Sequence, residues 1–335
     1  MLDGAMGSTL YEQGILHTRA FEECNLTAAA KVKAVHLAFI DAGANVIETN
    51  TFGANKFQLG RYGLQDVAAI NAAGVRIAKE AVAESGRGVW VAGAVGPTGE
   101  GAGFLDEDKG AELAAAFAEQ IKAMIAEGVD IIMLETFKFL AEIKIALQVT
   151  KELFAGPVIA CMAFSDEEAA PNEYTPAKVA LMLHKWGGDV VGVNCGGGWG
   201  RVGEGGPAAI YDVAEEMVKA LSGAGLKVPV IALPNAGHPK RVGQRNIYMA
   251  TEEYFLVYAK RLFKSGVRMV GGCCGTKPQH ILQVASAARM FGGGDDVCPP
   301  SAVTQDENAP KKAAKPKAVA KVAIPHPLLN YSDFA

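Results

Sequence analysis

Three cysteines carry the chemistry of this sequence. Cys195 follows Val190-Val191-Gly192-Val193-Asn194 and precedes Gly196-Gly197-Gly198, while Cys273 and Cys274 lie in Met269-Val270-Gly271-Gly272-Cys273-Cys274-Gly275. Each run reads as a buried strand ending in a glycine-rich turn. Thiols at strand ends can converge on one point, and three thiolates around a point suit a soft, tetrahedral metal, with zinc the first choice. Three protein ligands leave a fourth position open, as in a catalytic rather than a structural zinc. Neighbouring residues of a regular strand face opposite ways. Cys273 and Cys274 therefore share a metal only if the backbone bends, which Gly271, Gly272 and Gly275 permit. Ordinary buried packing cysteines are the plainer alternative, but packing does not explain a third cysteine at a matching strand end. Cys161 reads as mid-strand core, and Cys24 and Cys298 as loop or tail.

Such strand ends need a scaffold that gathers them. Eight short β-like runs occur: one ending at Asp3-Gly4, then 45–52, 90–96, 131–137, 158–164, 190–196, 229–237 and 269–275. Most lack polar alternation, which fits parallel strands covered on both faces. Between them lie alanine-rich stretches with helical apolar spacing, such as 28–42, 107–126, 139–153, 208–221 and 252–264. Thr27 and Thr251 stand at expected N-cap positions. Eight β–α units predict an α/β fold of the (β/α)8 TIM-barrel type, with its chemistry at the C-terminal strand ends. Asp3, Asn50, Glu135, Cys195, Asn235, Cys273 and Cys274 all fall there. The barrel is expected over 1–291, followed by a flexible, disordered Lys/Ala/Pro-rich linker or tail over 292–335.

Composition narrows the function classes. The 335 residues carry a net charge of −4 and are 50% hydrophobic. That is ample for one large core and gives no electrostatic footprint for nucleic acid or an anionic membrane. No apolar run reaches the roughly 18 residues of a membrane span, and no secretory signal is visible. Six cysteines in such a chain read as metal ligands or small core residues in a reducing cytoplasm rather than as a disulfide scaffold.

Several motifs, in order, make the family recognisable: Leu2-Asp3-Gly4-Ala5-Met6-Gly7-Ser8, Glu48-Thr49-Asn50-Thr51-Phe52-Gly53, Leu134-Glu135-Thr136-Phe137, Gly192-Val193-Asn194-Cys195-Gly196, Pro234-Asn235-Ala236-Gly237 and Gly271-Gly272-Cys273-Cys274-Gly275-Thr276. Over about 1–291 the chain resembles the homocysteine S-methyltransferase family. The resemblance implies a zinc barrel that binds L-homocysteine and moves a methyl group onto its sulfur, giving L-methionine. Cys195, Cys273 and Cys274 would hold the zinc, and metal-bound substrate thiolate would be the nucleophile, so no protein residue is expected to be catalytic in its own right. Asp3 and Glu135 would meet the substrate ammonium, Gly4 and its neighbours the carboxylate, and Asn235 the substrate or the metal. Asn50 and Asn194 read as loop-holding amides, Glu48 as an acceptor behind them or a buried structural acid, and His238 as a rim residue. Trp199 and Arg201 could meet a donor or a partner.

The wording is closest to the methionine-synthase-like branch, which implies a methyl-corrinoid/methyltetrahydrofolate donor. Cobalamin, folate or a methylenetetrahydrofolate reductase would then belong to a partner domain or protein. Gly53 stands where betaine enzymes carry tyrosine. A sulfonium such as S-methylmethionine used directly, and a non-catalytic thiol- or zinc-binding subunit, are the alternatives.

Overall fold

The computed structural model describes residues 1–16, 18–100, 107–164, 174–196, 206–242 and 245–291. Among them, one parallel sheet contains β1 (Val46–Glu48), β2 (Trp90–Val95), β3 (Ile131–Phe137), β4 (Val158–Met162), β5 (Val190–Asn194) and β6 (Val230–Leu233). The chain then makes an antiparallel hairpin, β7 (Lys240–Val242) and β8 (Arg245–Ile247), before β9 (Met269–Val270) rejoins the sheet. The order is β1-β2-β3-β4-β5-β6-β9, each neighbour parallel.

The eighth position of the barrel is a bridge rather than a strand. Leu2 N–H donates to Val270 O (3.1 Å), Asp3 N–H donates to Val46 O (3.1 Å), and Gly272 N–H donates to Asp3 O (2.9 Å). Leu2 thus pairs with β1 on one side and hydrogen-bonds β9 on the other, joining the two edges of the curled sheet. The hairpin between β6 and β9 is an element that the helical and β-like periodicities did not foretell.

Two cores result, as the two-sided burial of the strands requires. Leu2, Val46, Met133, Ile159, Ile231 and Leu233 pack inside the barrel. The outward faces of the strands meet the helices in a larger cluster that includes Phe39, Phe117, Val158 and Val193. Helices Ala29–Asp41, Glu107–Ala126, Leu140–Leu153, Pro207–Gly223 and Glu252–Lys264 occupy the expected segments. Thr251 caps its helix by accepting from Tyr254 N–H at 3.3 Å. Thr27 does not cap. It ends the short helix Cys24–Thr27, its hydroxyl bonds back to Glu23 O, and Ala28 begins the next helix with no side-chain cap. Cys24 accordingly lies buried in that short helix rather than in a loop. No helix among the described residues is long and apolar enough to cross a membrane. The 292–335 tail and Cys298, Trp199 and Arg201 lie outside the described residues.

Candidate metal centre and substrate cavity

The inward rows of the strands extend into the site. Side chains alternate along a strand. Ile131 and Met133 face the barrel interior, so Glu135 continues that row; Ile231 and Leu233 lead in the same way to Asn235, and Val46 to Glu48. The interior residues Val190 and Met269 start the rows that reach Asn194 and Cys273. Alternation alone cannot deliver Cys195, because Asn194 has taken the inward place beside it.

A backbone excursion solves this. Cys195 has φ +56°, a left-handed conformation unusual for a residue with a side chain, and Thr136 has φ +61°. The β3–β4 register breaks between Leu134 and Phe137, around Glu135 and Thr136, as at a bulge that re-aims side chains. The regular part of β9 stops at Val270, earlier than the β-like run suggests, and the chain turns inward. Cys273 N–H donates to Pro234 O (2.8 Å), Ala236 N–H to Cys274 O (2.9 Å) and Cys195 N–H to Leu233 O (3.1 Å), which fixes the turn to β6. Gly275 closes it at φ +76°, where a Cβ would collide with the Tyr248 ring.

The result is a cluster. The sulfur atoms of Cys195, Cys273 and Cys274 all lie within 4.8 Å of one another. Hydrogen bonds from the other two thiols hold Cys195 well below the usual thiol range and push Cys273 well above it and Cys274 up to about 12. Of the three sulfurs, Cys195 is the one most favoured as thiolate. The Asn235 amide also bonds Cys195, while its Oδ1 is buried with no hydrogen-bond partner among the described residues. Three converging sulfurs beside an orphaned buried oxygen fit a soft, four-coordinate cation.

Beside the sulfurs lies a cavity of about 320 Å³, walled by Gly4–Ser8, Phe21, Glu22, Glu48–Phe52, Glu135, Thr136 and the three cysteines. Its floor is acidic. Asp3 and Glu135 are buried and Glu48 opens onto the cavity. Burial raises the pKa of all three, Glu135 to about 7, and the groups that press on them are one another and the Cys195 sulfur rather than a cation. The Glu48 and Glu135 side chains are within hydrogen-bonding reach of each other, and the Glu48 N–H donates to Asp3 Oδ2 at 3.0 Å. Such a floor attracts an ammonium group.

Gly4 lines the cavity because nothing larger fits: a Cβ would stand 2.6 Å from Thr276 Oγ1 and 2.9 Å from Phe39. The Ala5 N–H, expected in an anion cradle, instead donates to Thr276 Oγ1 at 3.0 Å. Thr276 also donates to Cys273 O (2.7 Å), tying the first loop to the cysteine turn.

A profile described as homocysteine S-methyltransferase matches residues 1–288. The chain belongs to the homocysteine S-methyltransferase family. Within the family it is 30% identical to a methionine synthase of Mycobacterium tuberculosis, over 85% of this chain and 24% of that protein. It is also 30% identical to an S-methylmethionine–homocysteine S-methyltransferase of Pongo abelii, over 84% of this chain and 76% of that protein. The chain therefore spans about a quarter of the first relative and three quarters of the second. The crystal structure of the metallated homocysteine methyltransferase MmuM from Escherichia coli superposes with a TM-score of 0.66 at 20% identity, over 85% of this chain and 94% of that one, a likeness of fold.

The site residues read from the family motifs do come together: Gly4, Glu135 and the cysteines line one cavity, with Asp3 beneath and Asn235 behind. Asn50 holds loops as expected, donating to Phe21 O (2.8 Å) and Asn25 Oδ1 (3.0 Å). His238 is an exposed rim residue. Sequence reasoning placed one contributor, Glu48, behind the site rather than in it and missed two others. Glu48 is a full member of the acid cluster. Thr276 is the tie just described. Tyr248, just past the hairpin, hydrogen-bonds Cys274. The alternation Val46, Glu48 could have placed Glu48; nothing local marks Tyr248.

Proposed function

We propose that the protein is a zinc-dependent homocysteine S-methyltransferase that transfers a methyl group to the thiol of L-homocysteine, giving L-methionine. The observation that carries this reading is the meeting of three sulfurs and an acidic floor on the walls of one small cavity. Cys195, Cys273 and Cys274 would hold zinc, with Asn235 beside them. Bound zinc supplies the charge that keeps a substrate thiol deprotonated and nucleophilic at neutral pH.

The protein's own groups do the rest. Asp3 and Glu135 receive the substrate ammonium, and Glu48 keeps Glu135 oriented through their shared hydrogen bond. The backbone of the Gly4–Ser8 loop, apart from the Ala5 N–H that Thr276 takes, faces the substrate carboxylate. Phe21 and Phe52 narrow the mouth and limit water around the reacting sulfur.

The donor is a methyl-corrinoid/methyltetrahydrofolate system on a partner protein or domain. The methionine synthase likeness over 85% of the chain supports this. Gly53, which stands where betaine enzymes carry tyrosine, counts against betaine as the donor. A sulfonium donor used directly is the second reading, favoured by the 76% coverage of the S-methylmethionine enzyme. The test is metal analysis together with methyl transfer to homocysteine from methylcobalamin and from S-methylmethionine. Wild type should bind one zinc and turn over one of the donors, and Cys273→Ala should lose both metal and activity. Full activity without metal would refute the reading, and turnover of S-methylmethionine without corrinoid would decide for the second donor.

A further inference from the structure

Asn194 stands between the two halves of the site and touches both. It is fully buried at the end of β5. Its Oδ1 accepts from Thr136 N–H at 2.7 Å. Its Nδ2 faces Thr136 Oγ1 at 2.6 Å, Glu135 Oε2 at 3.1 Å and Cys273 Sγ at 3.9 Å. The next residue along the chain is Cys195. One amide therefore contacts the acid cluster, one cysteine of the sulfur cluster and the residue beside another.

The backbone makes the arrangement informative. Thr136 is β-branched and held at φ +61°, an outlier for such a residue. Strain of this kind persists only where the surroundings over-determine it. Here the Asn194 side chain does so, bonding both the Thr136 N–H and its hydroxyl. The Glu135 carboxylate precedes the strained residue directly, so whatever fixes Thr136 also fixes the direction of Glu135. The Asn194 Nδ2 then meets Glu135 itself. With two hydrogens and three acceptors, the amide is shared between acid, hydroxyl and sulfur.

On the reading of the cavity as a homocysteine site, we propose that Asn194 is a positioning residue that sets the distance between the carboxylate receiving the substrate ammonium and the sulfur cluster receiving its thiol. Its effect falls on substrates that use both ends. A thiol without the amino group, such as 4-mercaptobutanoate, needs only the sulfur end and the carboxylate contacts, and is indifferent to Glu135.

The test uses the full chain loaded with zinc, with calorimetric affinities for homocysteine and 4-mercaptobutanoate and zinc stoichiometry read separately. Asn194→Ala should weaken homocysteine binding about tenfold or more, since a hydrogen bond to a buried charged group is lost. It should change 4-mercaptobutanoate by less than about threefold and leave bound zinc at the wild-type ratio. In a Glu135→Gln background the same change should cost homocysteine less than about threefold, because the group being positioned is already gone. Asn194→Ser, which keeps a short polar group at this strand position, is read in the same way if the alanine variant fails to fold. Equal weakening of both thiols, or additive losses with Glu135→Gln, would overturn the proposal while leaving the function intact. Wild-type protein that binds neither thiol would remove the function and this inference together.

Discussion

A tyrosine past the hairpin tunes one of the three sulfurs. The Tyr248 side chain hydrogen-bonds Cys274 and favours its thiolate, opposing the rise caused by its hydrogen bond to Cys195, by burial and by the Cys195 charge. Metal binding requires deprotonated sulfur, so a group that stabilises the thiolate raises metal affinity. Tyr248→Phe removes the hydroxyl and keeps the ring against Gly275. Zinc affinity measured by chelator competition should fall about tenfold, and more steeply at acid pH, where the proton must be expelled against a higher pKa. Unchanged affinity would mean that the phenol contributes packing alone. The cysteines themselves were legible in sequence, because three of them follow buried runs and precede glycine. Tyr248 was not, since only the path of the intervening chain brings it to Cys274.

At the scale of the element, helix Ala29–Asp41 carries an unsatisfied group. His36 is fully buried, and both ring nitrogens lack a hydrogen-bond partner among the described residues. Burial lowers its pKa from 6.5 to about 4. In the unfolded chain the ring takes up a proton below about 6.5, whereas in the folded protein it resists until about 4. The unfolded state therefore binds more protons in that window, and stability is lost as pH falls from 6.5 towards 4. The full difference is about 3 kcal/mol. His36→Leu should flatten the acid limb of urea-unfolding midpoints over this range. An unaltered acid limb would assign the loss to other groups. The helix itself was plain from its apolar spacing, but the reach of its burial was not, because periodicity shows a face and not what packs on it.

The whole molecule depends on how the sheet closes. Seven strands run in sequence order, and Leu2 bonds across the seam between β1 and β9. The Leu2 side chain is fully buried inside the barrel, and the next residue is Asp3 of the acid cluster. Leu2→Ala should cost about 2–5 kcal/mol in denaturant unfolding and speed hydrogen exchange at the Asp3 and Gly272 amides, which bridge the seam. Loss of stability without faster exchange there would mean that the cavity, and not the closure, is what matters.

The sequence by itself determined the architecture, the family and the set of polar residues at the strand ends. Two-sided burial, helical spacing and glycine-bounded cysteines are properties of neighbouring residues. Only the tertiary structure decided that the eighth place is a single bridge, that a hairpin brings Tyr248 to Cys274, and that the floor holds three acids rather than two. It also decided that Thr136 and Cys195 adopt left-handed backbone, Thr136 held in part by the Asn194 amide. The physical reason is that strand alternation assigns each residue a side of the sheet, whereas register breaks, backbone excursions and contacts between distant segments are set by packing that no local stretch contains.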